Sequence, residues 1–123
     1  KGKSIPHLGL PGNPVSALVA FEQFGRPSIR KMMGKNHQPR PTVRAVLEDP
    51  IYNGDGRRVF ARVIVTKNNE QYKAKLTGHQ NSNLLTSMAH ANGLAICPEN
   101  EKIKNAGETV EVQMIDWPEE MKL

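Results

Sequence analysis

The sequence has few of the residues that build disulfide-rich, metal-rich or membrane-spanning proteins. Its 123 residues include one cysteine, one tryptophan, two tyrosines and three phenylalanines. The single cysteine, Cys97, excludes a disulfide within the chain and a zinc site made of several cysteines, and it favours a reducing compartment. No run approaches the roughly 20 apolar residues that a membrane helix requires. We therefore expect a soluble, cytoplasmic protein that engages no membrane.

Positive charge is concentrated in the first third of the chain. Lysine and arginine total 17 against 12 acidic residues, and residues 1–40 hold seven basic side chains against one acidic side chain, Glu22. A nucleic-acid surface would need such cations on one face with aromatic side chains between them, or a known recognition motif. Neither pattern is present, so no nucleic-acid partner is expected. A solvated helix face or a phosphate-bearing small ligand explains the charge.

The N-terminal part has the pattern of a strand followed by a helix. Residues 4–10 are a short apolar run, which predicts a strand. In the following PGNP turn, Asn13 can cap a helix and Pro14 suits its first position. Helical spacing then continues to a polar GKNHQPRP segment, and Pro27 predicts a kink or two abutting helices. One strand and one helix cannot bury their apolar sides alone, so residues 1–33 are expected to end a truncated α/β domain.

The rest of the chain has the alternation of β-strands. Residues 34–40 are polar and punctuated by proline, which is typical of a linker. Strands are predicted at residues 42–47, 58–65, 71–77, 94–98 and 109–114, with a turn at 67–70. A short helix between the third and fourth strands would be capped by Ser82 and closed by Asn92-Gly93. The expected fold is therefore mixed, with a small β-barrel or curled sheet at residues 41–117 and a tail at 118–123.

The usual catalytic groupings are missing from the sequence. Cys97 lies in an apolar run before Pro98, so a buried structural thiol is a better interpretation than a nucleophile. The four histidines have neither paired ligand spacing nor a neighbouring carboxylate, and no metal site is predicted. The carboxylates of residues 99–120 have no pocket that would raise their pKa. We expect no catalytic base within this chain.

Two loops remain as candidate ligand sites. In residues 9–16 a stiff turn opens a helix, whose backbone N–H groups and dipole favour an anion, with Gly12, Asn13 and Ser16 as candidate binding residues. Residues 77–83 offer several side-chain donors, including His79, and a glycine that permits close backbone approach. The alternatives are an ordinary strand–turn–helix corner and a capped connection, and the residue pattern does not decide between them.

Several motifs occur in an order that has a known counterpart. GLPGNPVSA leads into a helix with an internal proline, and a proline-bounded link is followed by an RRVFARV strand, TGHQNSN and a final NAGETVEVQMI strand. Over residues 4–117 this arrangement resembles the C-terminal part of the molybdopterin molybdenumtransferase family, which includes the E domain of gephyrin. The family's third domain is α/β and its fourth is a small β-barrel, and its members are homodimers.

The resemblance implies a late step of molybdenum cofactor synthesis. The enzyme would insert molybdate into adenylylated molybdopterin and release AMP, with a divalent ion such as Mg²⁺. By similarity, Pro11 and Pro14 would stiffen the loop that lines the catalytic cleft. Arg62 would direct a guanidinium toward bound anion or phosphate, and Ser82 would offer a hydroxyl at the opposite wall. These four residues are the catalytic positions that we carry over.

The family pattern also places important parts outside this chain. Its acidic residues for metal and nucleotide and its glycine-rich molybdopterin motif lie upstream, so the Mg²⁺ site is expected there. The second subunit completes the cleft, so the chain alone is expected to be inactive, with residues 1–33 paired with a second copy or partly disordered. The alternative function is a non-catalytic binding or scaffold β-barrel that anchors a peptide, as gephyrin does. General nucleotide or RNA binding is a third class.

Overall fold

Three consecutive helical elements open the ordered part of the chain. The computed structural model describes residues 2–36, 38–80 and 85–116. Helix α1 spans Pro14–Ala20, a π-helical segment spans Phe21–Gly25, and α2 spans Arg26–Met32. The side chain of Asn13 accepts a hydrogen bond from the Ser16 N–H at 3.4 Å, and α1 begins at Pro14. The predicted helix start is confirmed.

The predicted interruption at Pro27 is also confirmed, and it takes the form of the π-helical segment. Pro27 has no N–H to donate to the preceding turn. In the wider π turn, the Arg26 N–H donates to the carbonyl of Phe21, five residues earlier. The helical region ends before Gly34, whose φ of 72° is the left-handed conformation typical of a helix stop.

The strand predicted for residues 4–10 is not formed, and this prediction is wrong. Residues 2–12 contain neither helix nor strand and their side chains are exposed; Ile5 is 86% exposed. A strand needs a neighbour for its backbone N–H and C=O groups, and no described residue pairs with this segment. Apolar composition alone therefore does not produce the strand here.

The strands form a closed barrel and a small separate sheet. The seven strands are β1 Thr42–Leu47, β2 Ile51–Tyr52, β3 Val59–Asn68, β4 Gln71–Leu76, β5 Gly93–Cys97, β6 Ile103–Lys104 and β7 Thr109–Met114. The barrel has the order β1-β4-β3-β5-β7, and β2 pairs with β6. All five predicted strands are present, so the predicted barrel is confirmed. The strands β2 and β6 were not predicted, because two residues are too few to show an alternation of apolar and polar side chains.

The order of the strands explains the single parallel pair in the barrel. β1 runs parallel to β4, whereas the other neighbouring pairs are antiparallel. Five strands cannot alternate in direction all the way around a ring, so one parallel pair is required. The β3–β4 hairpin turns at Asn69 and Glu70, with φ of 47° and 67°. Positive φ at both central residues is typical of the type I′ turn, which suits a twisted hairpin.

The inward-facing residues of the strands fill the barrel. They are Val43, Ala45, Leu47, Ala61, Val63, Val65, Ala74, Ala95, Cys97, Val110, Val112 and Met114, all of them buried. Gly93, which the sequence places at the close of the short helix, begins β5 at a crowded point. A Cβ at Gly93 would meet Cγ1 of Val112 at 2.6 Å. The predicted buried thiol is confirmed, because Cys97 is fully buried in this core.

A third helix, α3, covers part of the barrel wall. It spans Leu85–His90 and contacts both β3 and α1. Its predicted cap, Ser82, lies outside the described residues. Beyond the helix, the side chain of Asn92 accepts from the Val65 N–H at 2.7 Å and donates to the Val65 carbonyl at 3.0 Å. These two bonds fix the connection between α3 and β5 to the middle of β3.

Candidate functional site

The PGNP corner presents a stiff surface with few hydrogen-bond donors. Pro11, Gly12 and Pro14 are exposed, and Asn13 is half-buried. The two prolines have no N–H, and the Ser16 N–H already donates to Asn13. The Asn13 carbonyl accepts from the Ala17 N–H at 2.9 Å, as the first turn of the helix requires. The corner is therefore better suited to be a rigid wall than to surround an anion by itself.

Arg62 is the charged residue that the fold buries most deeply at the candidate site. It lies on β3 and is 5% exposed, although strand alternation assigns it to the outer face of the barrel. Helix α3 covers it, and the Arg62 Nε–H donates to Oγ of Ser87, which is itself 4% exposed, at 3.1 Å. A guanidinium has a fixed set of donors, so this bond restricts where the remaining N–H groups can point.

The backbone of Arg62 is held by the loop that follows β4. The Arg62 N–H donates to Oε1 of Gln80 at 2.7 Å, and the Arg62 carbonyl accepts from the Thr77 N–H at 3.1 Å and from Nε2 of Gln80 at 3.3 Å. The Gln80 Nε2 also donates to the Gly78 carbonyl at 3.0 Å. The TGHQ segment therefore anchors the strand at the position of Arg62. Gly78 has a φ of 120°, which few residues other than glycine adopt.

Ser16 and Arg62 line one groove between the N-terminal helical region and the barrel. This Arg62 groove has a volume of about 780 Å³, and α1 and the π-helical segment form one side of it with Val15, Ser16 and Gln23. β3 and the loop before it form the other side, with Arg58 and Arg62. The structure thus brings together one predicted binding residue and one predicted catalytic residue.

The electrostatics of the Arg62 groove are dominated by arginine. Arg58 pairs with Glu99 at 3.1 Å and Arg57 pairs with Asp55 at 3.6 Å, but the four side chains are more than half exposed and such pairs contribute little. Arg62 differs because burial lowers its pKa from the ordinary value. An arginine remains protonated at neutral pH even so, and a charge with little water around it attracts an anion more strongly than an exposed charge does.

The other predicted residues have different positions. His79 is exposed and lies in a second groove, with Asp49, Tyr52 and Lys75. Gln80 lines the same groove as His79 and is hydrogen-bonded to the backbone of Arg62. Pro11, Gly12, Asn13 and Pro14 form the corner that leads into α1. Ser82 lies outside the described residues, so its predicted place at the opposite wall stays a prediction.

Sequence reasoning missed the residues that hold Arg62. Gln80 belongs to the TGHQNSN motif but had no assigned role, and its position two residues after the turn glycine Gly78 is a usable signal. Ser87 is a small polar residue in the middle of a short helix, where it would ordinarily weaken the helix. Its burial against an arginine becomes evident only when α3 is placed on β3. No local pattern in the sequence indicates that contact.

The described residues contain no metal site and no membrane-spanning helix. Over residues 2–36, 38–80 and 85–116, no group of three or more His, Cys, Asp or Glu side chains is arranged to hold a metal ion. Mg²⁺ is held by carboxylates and other oxygen ligands, and these residues do not present a cluster of them. In the same part of the chain, no helix is long and apolar enough to cross a bilayer.

Several known proteins are similar to this chain. Residues 44–115 match the family described as MoeA C-terminal region (domain IV). The molybdopterin molybdenumtransferase 1 of Mycobacterium tuberculosis is 35% identical over 116 residues, which cover 90% of this chain and 27% of that protein. The molybdopterin molybdenumtransferase of Haemophilus influenzae is 33% identical over 107 residues, covering 85% of this chain and 26% of that protein. The chain spans about a quarter of the length of these relatives.

Solved structures agree with the match in sequence. A molybdopterin biosynthesis moeA protein from Pyrococcus horikoshii OT3 superposes with a TM-score of 0.69 at 27% identity, over 84% of this chain and 26% of that one. A molybdenum cofactor biosynthesis protein from Pyrococcus furiosus gives a TM-score of 0.70 at 30% identity, over 84% of this chain and 36% of that one. The family match covers more than half of the chain and runs from within β1 to just beyond the end of β7. The chain therefore belongs to the MoeA C-terminal region (domain IV) family.

Proposed function

We propose that this chain is part of a molybdopterin molybdenumtransferase, which inserts molybdate into adenylylated molybdopterin and releases AMP during molybdenum cofactor synthesis. The names of the relatives support the reaction class. The observation that carries the proposal for this chain is the buried Arg62, held by Ser87 at a groove that it shares with Ser16. Molybdate and phosphate are oxyanions, and a guanidinium presents paired donors that match them.

In this proposal each part of the groove has a separate task. Arg62 binds an oxyanion oxygen and balances negative charge as molybdate is transferred. Ser87 is a positioning residue, because it touches Arg62 rather than the substrate. The corner with Pro11, Gly12, Asn13 and Pro14 forms a rigid wall that is ordered before the ligand arrives, which lowers the entropy cost of binding. Ser82 would provide a hydroxyl facing Arg62, and its segment joins β4 to α3, which contacts α1.

The proposal extends to the parts of the protein beyond this chain. Residues 1–33 would be the C-terminal end of an α/β domain, residues 34–40 its linker, and residues 41–117 the barrel domain. Apolar side chains left exposed by the N-terminal part support this division; they are Ile5, Leu8, Leu10, Leu18, Phe24, Ile29, Met32 and Met33. We also propose that the whole protein is a cytoplasmic homodimer, that Mg²⁺ binds outside this chain, and that the chain alone is inactive.

Substitution of Arg62 in the full-length protein tests the proposed function. We expect Arg62→Ala to lower kcat/KM for molybdate by about 100-fold or more, as loss of a preorganised donor to a developing anion does. Arg62→Lys keeps the positive charge but lacks the paired N–H donors of the guanidinium, so its kcat/KM should lie between those of Arg62→Ala and wild type. Molybdenum cofactor formation at varied molybdate concentration measures both parameters.

Two further variants separate a catalytic effect from a folding effect. Ser87→Ala leaves Arg62 in place but removes its fixed orientation, so KM for molybdate should rise more than kcat falls. Arg44→Ala removes an exposed arginine from β1 and is the matched control. If Arg62→Ala keeps the wild-type kcat/KM while the protein remains folded by thermal unfolding, Arg62 has no part in the reaction and the proposal fails.

A further inference from the structure

A second concave site lies beside the N-terminal helical region and shares Gln23 with the lining of the Arg62 groove. This basic cleft has a volume of about 690 Å³ and runs between α2, the segment after it and the end of the barrel at Gln113. Five of the seven basic residues in the first 40 line it, and they are Arg26, Arg30, Lys31, Lys35 and Arg40. Within the part of the chain that the structure describes, Glu22 is the one acidic residue that lines it. The charge that the sequence concentrates in this region is therefore gathered around one cavity.

The single carboxylate of the basic cleft is already engaged. Oε1 and Oε2 of Glu22 each accept a hydrogen bond of 3.1 Å from the guanidinium of Arg40. The Arg40 side chain is 15% exposed and the Glu22 side chain is 14% exposed. This bidentate pair neutralises one cation and fixes the wall of the cleft. The cleft lining therefore keeps an excess of four positive charges, the difference between five cations and one anion.

The cleft is rigidly connected to the barrel and its cations repel one another. Nε2 of Gln23 donates to Oε1 of Gln113 on β7 at 2.6 Å, which joins the helical region to the barrel at the cleft. An Arg30 N–H donates to Oε1 of Gln38 at 3.4 Å across the cleft mouth. Burial and the charge of Arg40 lower the pKa of Arg26. An anion between these groups would relieve the repulsion.

We propose that the basic cleft binds a phosphate-bearing small molecule, at a site separate from the Arg62 groove. The class follows from three features: several guanidinium groups that match phosphate oxygens, a net positive lining, and a volume larger than a lone oxyanion requires. The two lysines add charge without demanding one geometry. None of the described residues in this lining is aromatic, which argues against stacked bases of a single-stranded nucleic acid.

Titration of the full-length protein with pyrophosphate tests the proposal, because this probe carries the proposed chemistry without a base or sugar. Calorimetry at low ionic strength should detect saturable binding that weakens with added salt. The double variant Arg26→Gln with Lys31→Gln should bind about 100-fold more weakly, because each of the two lost charge-assisted contacts to phosphate is expected to cost about tenfold in affinity. The Glu22–Arg40 pair stays intact in this variant, so the cleft wall is preserved.

The controls distinguish this site from general charge and from the Arg62 groove. Arg44→Gln with Lys102→Gln removes two exposed cations elsewhere and should leave pyrophosphate affinity unchanged. Arg62→Ala should leave unchanged the component of pyrophosphate binding that the Arg26/Lys31 variant weakens, so failure of the proposed function would not remove this site. Equal weakening in the Arg44/Lys102 control, loss of that component in Arg62→Ala, or no saturable binding would each overturn the proposal. Binding of an acidic protein segment in place of pyrophosphate would overturn it as well.

Discussion

The burial and hydrogen bonds of some single residues in this chain cannot be predicted from their immediate neighbours in sequence. Arg62 lies on the outward side of a strand but is buried, because Ser87 and the rest of α3 lie over it. The side chain of Asn92 makes hydrogen bonds with both the N–H and the carbonyl of Val65, as a residue on a neighbouring strand would. In both cases a side chain that is not part of the sheet supplies the hydrogen-bond partner that a group on β3 needs.

Gly93 gives a test of the barrel at the level of one methyl group. Gly93→Ala should lower the free energy of unfolding by about 1–3 kcal/mol, because the new Cβ would meet Val112 at 2.6 Å and Val65 at 3.3 Å. Both neighbours are β-branched and have little rotamer freedom to move aside. Denaturant unfolding measures the change. Gly54→Ala, where no atom lies within 4 Å of the Cβ position, is the control and should be nearly neutral; equal values for the two variants would contradict this packing.

The buried thiol of Cys97 should make stability depend on alkaline pH. Burial raises the pKa of Cys97, with the charge of Glu101 acting in the same direction. The native state therefore holds the thiol proton more tightly than the unfolded state does. Its contribution is complete below the ordinary thiol pKa of about 8.5 and declines as pH rises toward the folded value.

The measurement is the free energy of unfolding between pH 7 and pH 10 under reducing conditions. Wild type should lose stability relative to Cys97→Ala at alkaline pH, by up to about 1.4 kcal/mol per pH unit. The comparison cancels the titration of other groups, including Lys104, whose pKa is raised by its bond to Glu101. Parallel pH profiles for the two proteins would show that the thiol is not desolvated as described.

At the scale of elements, the π-helical segment sets the direction of α2. The π turn adds one residue to the helix before Pro27. The side chains of α2 are therefore rotated by roughly 100° about the helix axis from the positions that an uninterrupted α-helix would give them. That rotation determines which α2 side chains face the basic cleft. The bond between Gln23 and Gln113 holds the segment against the barrel.

Replacement of Pro27 tests what causes the π turn. Pro27→Ala restores an N–H that can donate to the carbonyl of Gln23, so residues 21–27 should become α-helical. NMR couplings across hydrogen bonds should then lose the Arg26-to-Phe21 bond. Pro39→Ala, in the segment between α2 and β1, is the control and should leave the helical region unchanged. Persistence of the Arg26-to-Phe21 bond in Pro27→Ala would mean that packing on the barrel, and not the proline, causes the turn.

The elements also show why some features could be predicted from the sequence and others could not. Alternation and turn residues predict the five barrel strands, because each strand buries one face and each turn carries its own chemistry. The failed strand at residues 4–10 has the right composition but no partner. The parallel β1–β4 pair and the burial of Arg62 depend on contacts between distant segments, and local patterns carry no information about them.

At the scale of the whole molecule, the chain combines a complete barrel with an N-terminal part that exposes much apolar surface. The barrel has its own buried core, whereas Phe24 is 62% exposed and Met32 is 63% exposed. The part of this chain that matches its relatives covers 26–27% of their length. In the proposed full-length enzyme, residues upstream would cover this surface, and the second subunit would complete the cleft.

The most direct test of the central claim is a crystal structure of the full-length protein with adenylylated molybdopterin and molybdate. We predict an oxyanion oxygen within about 3 Å of the Arg62 guanidinium, with the Pro11–Pro14 corner along the same cleft. The same structure should show Leu8 and Leu10 covered by other residues of the protein. Ligand bound on a face of the protein remote from Arg62, with Arg62 still held only by its own chain, would contradict the account.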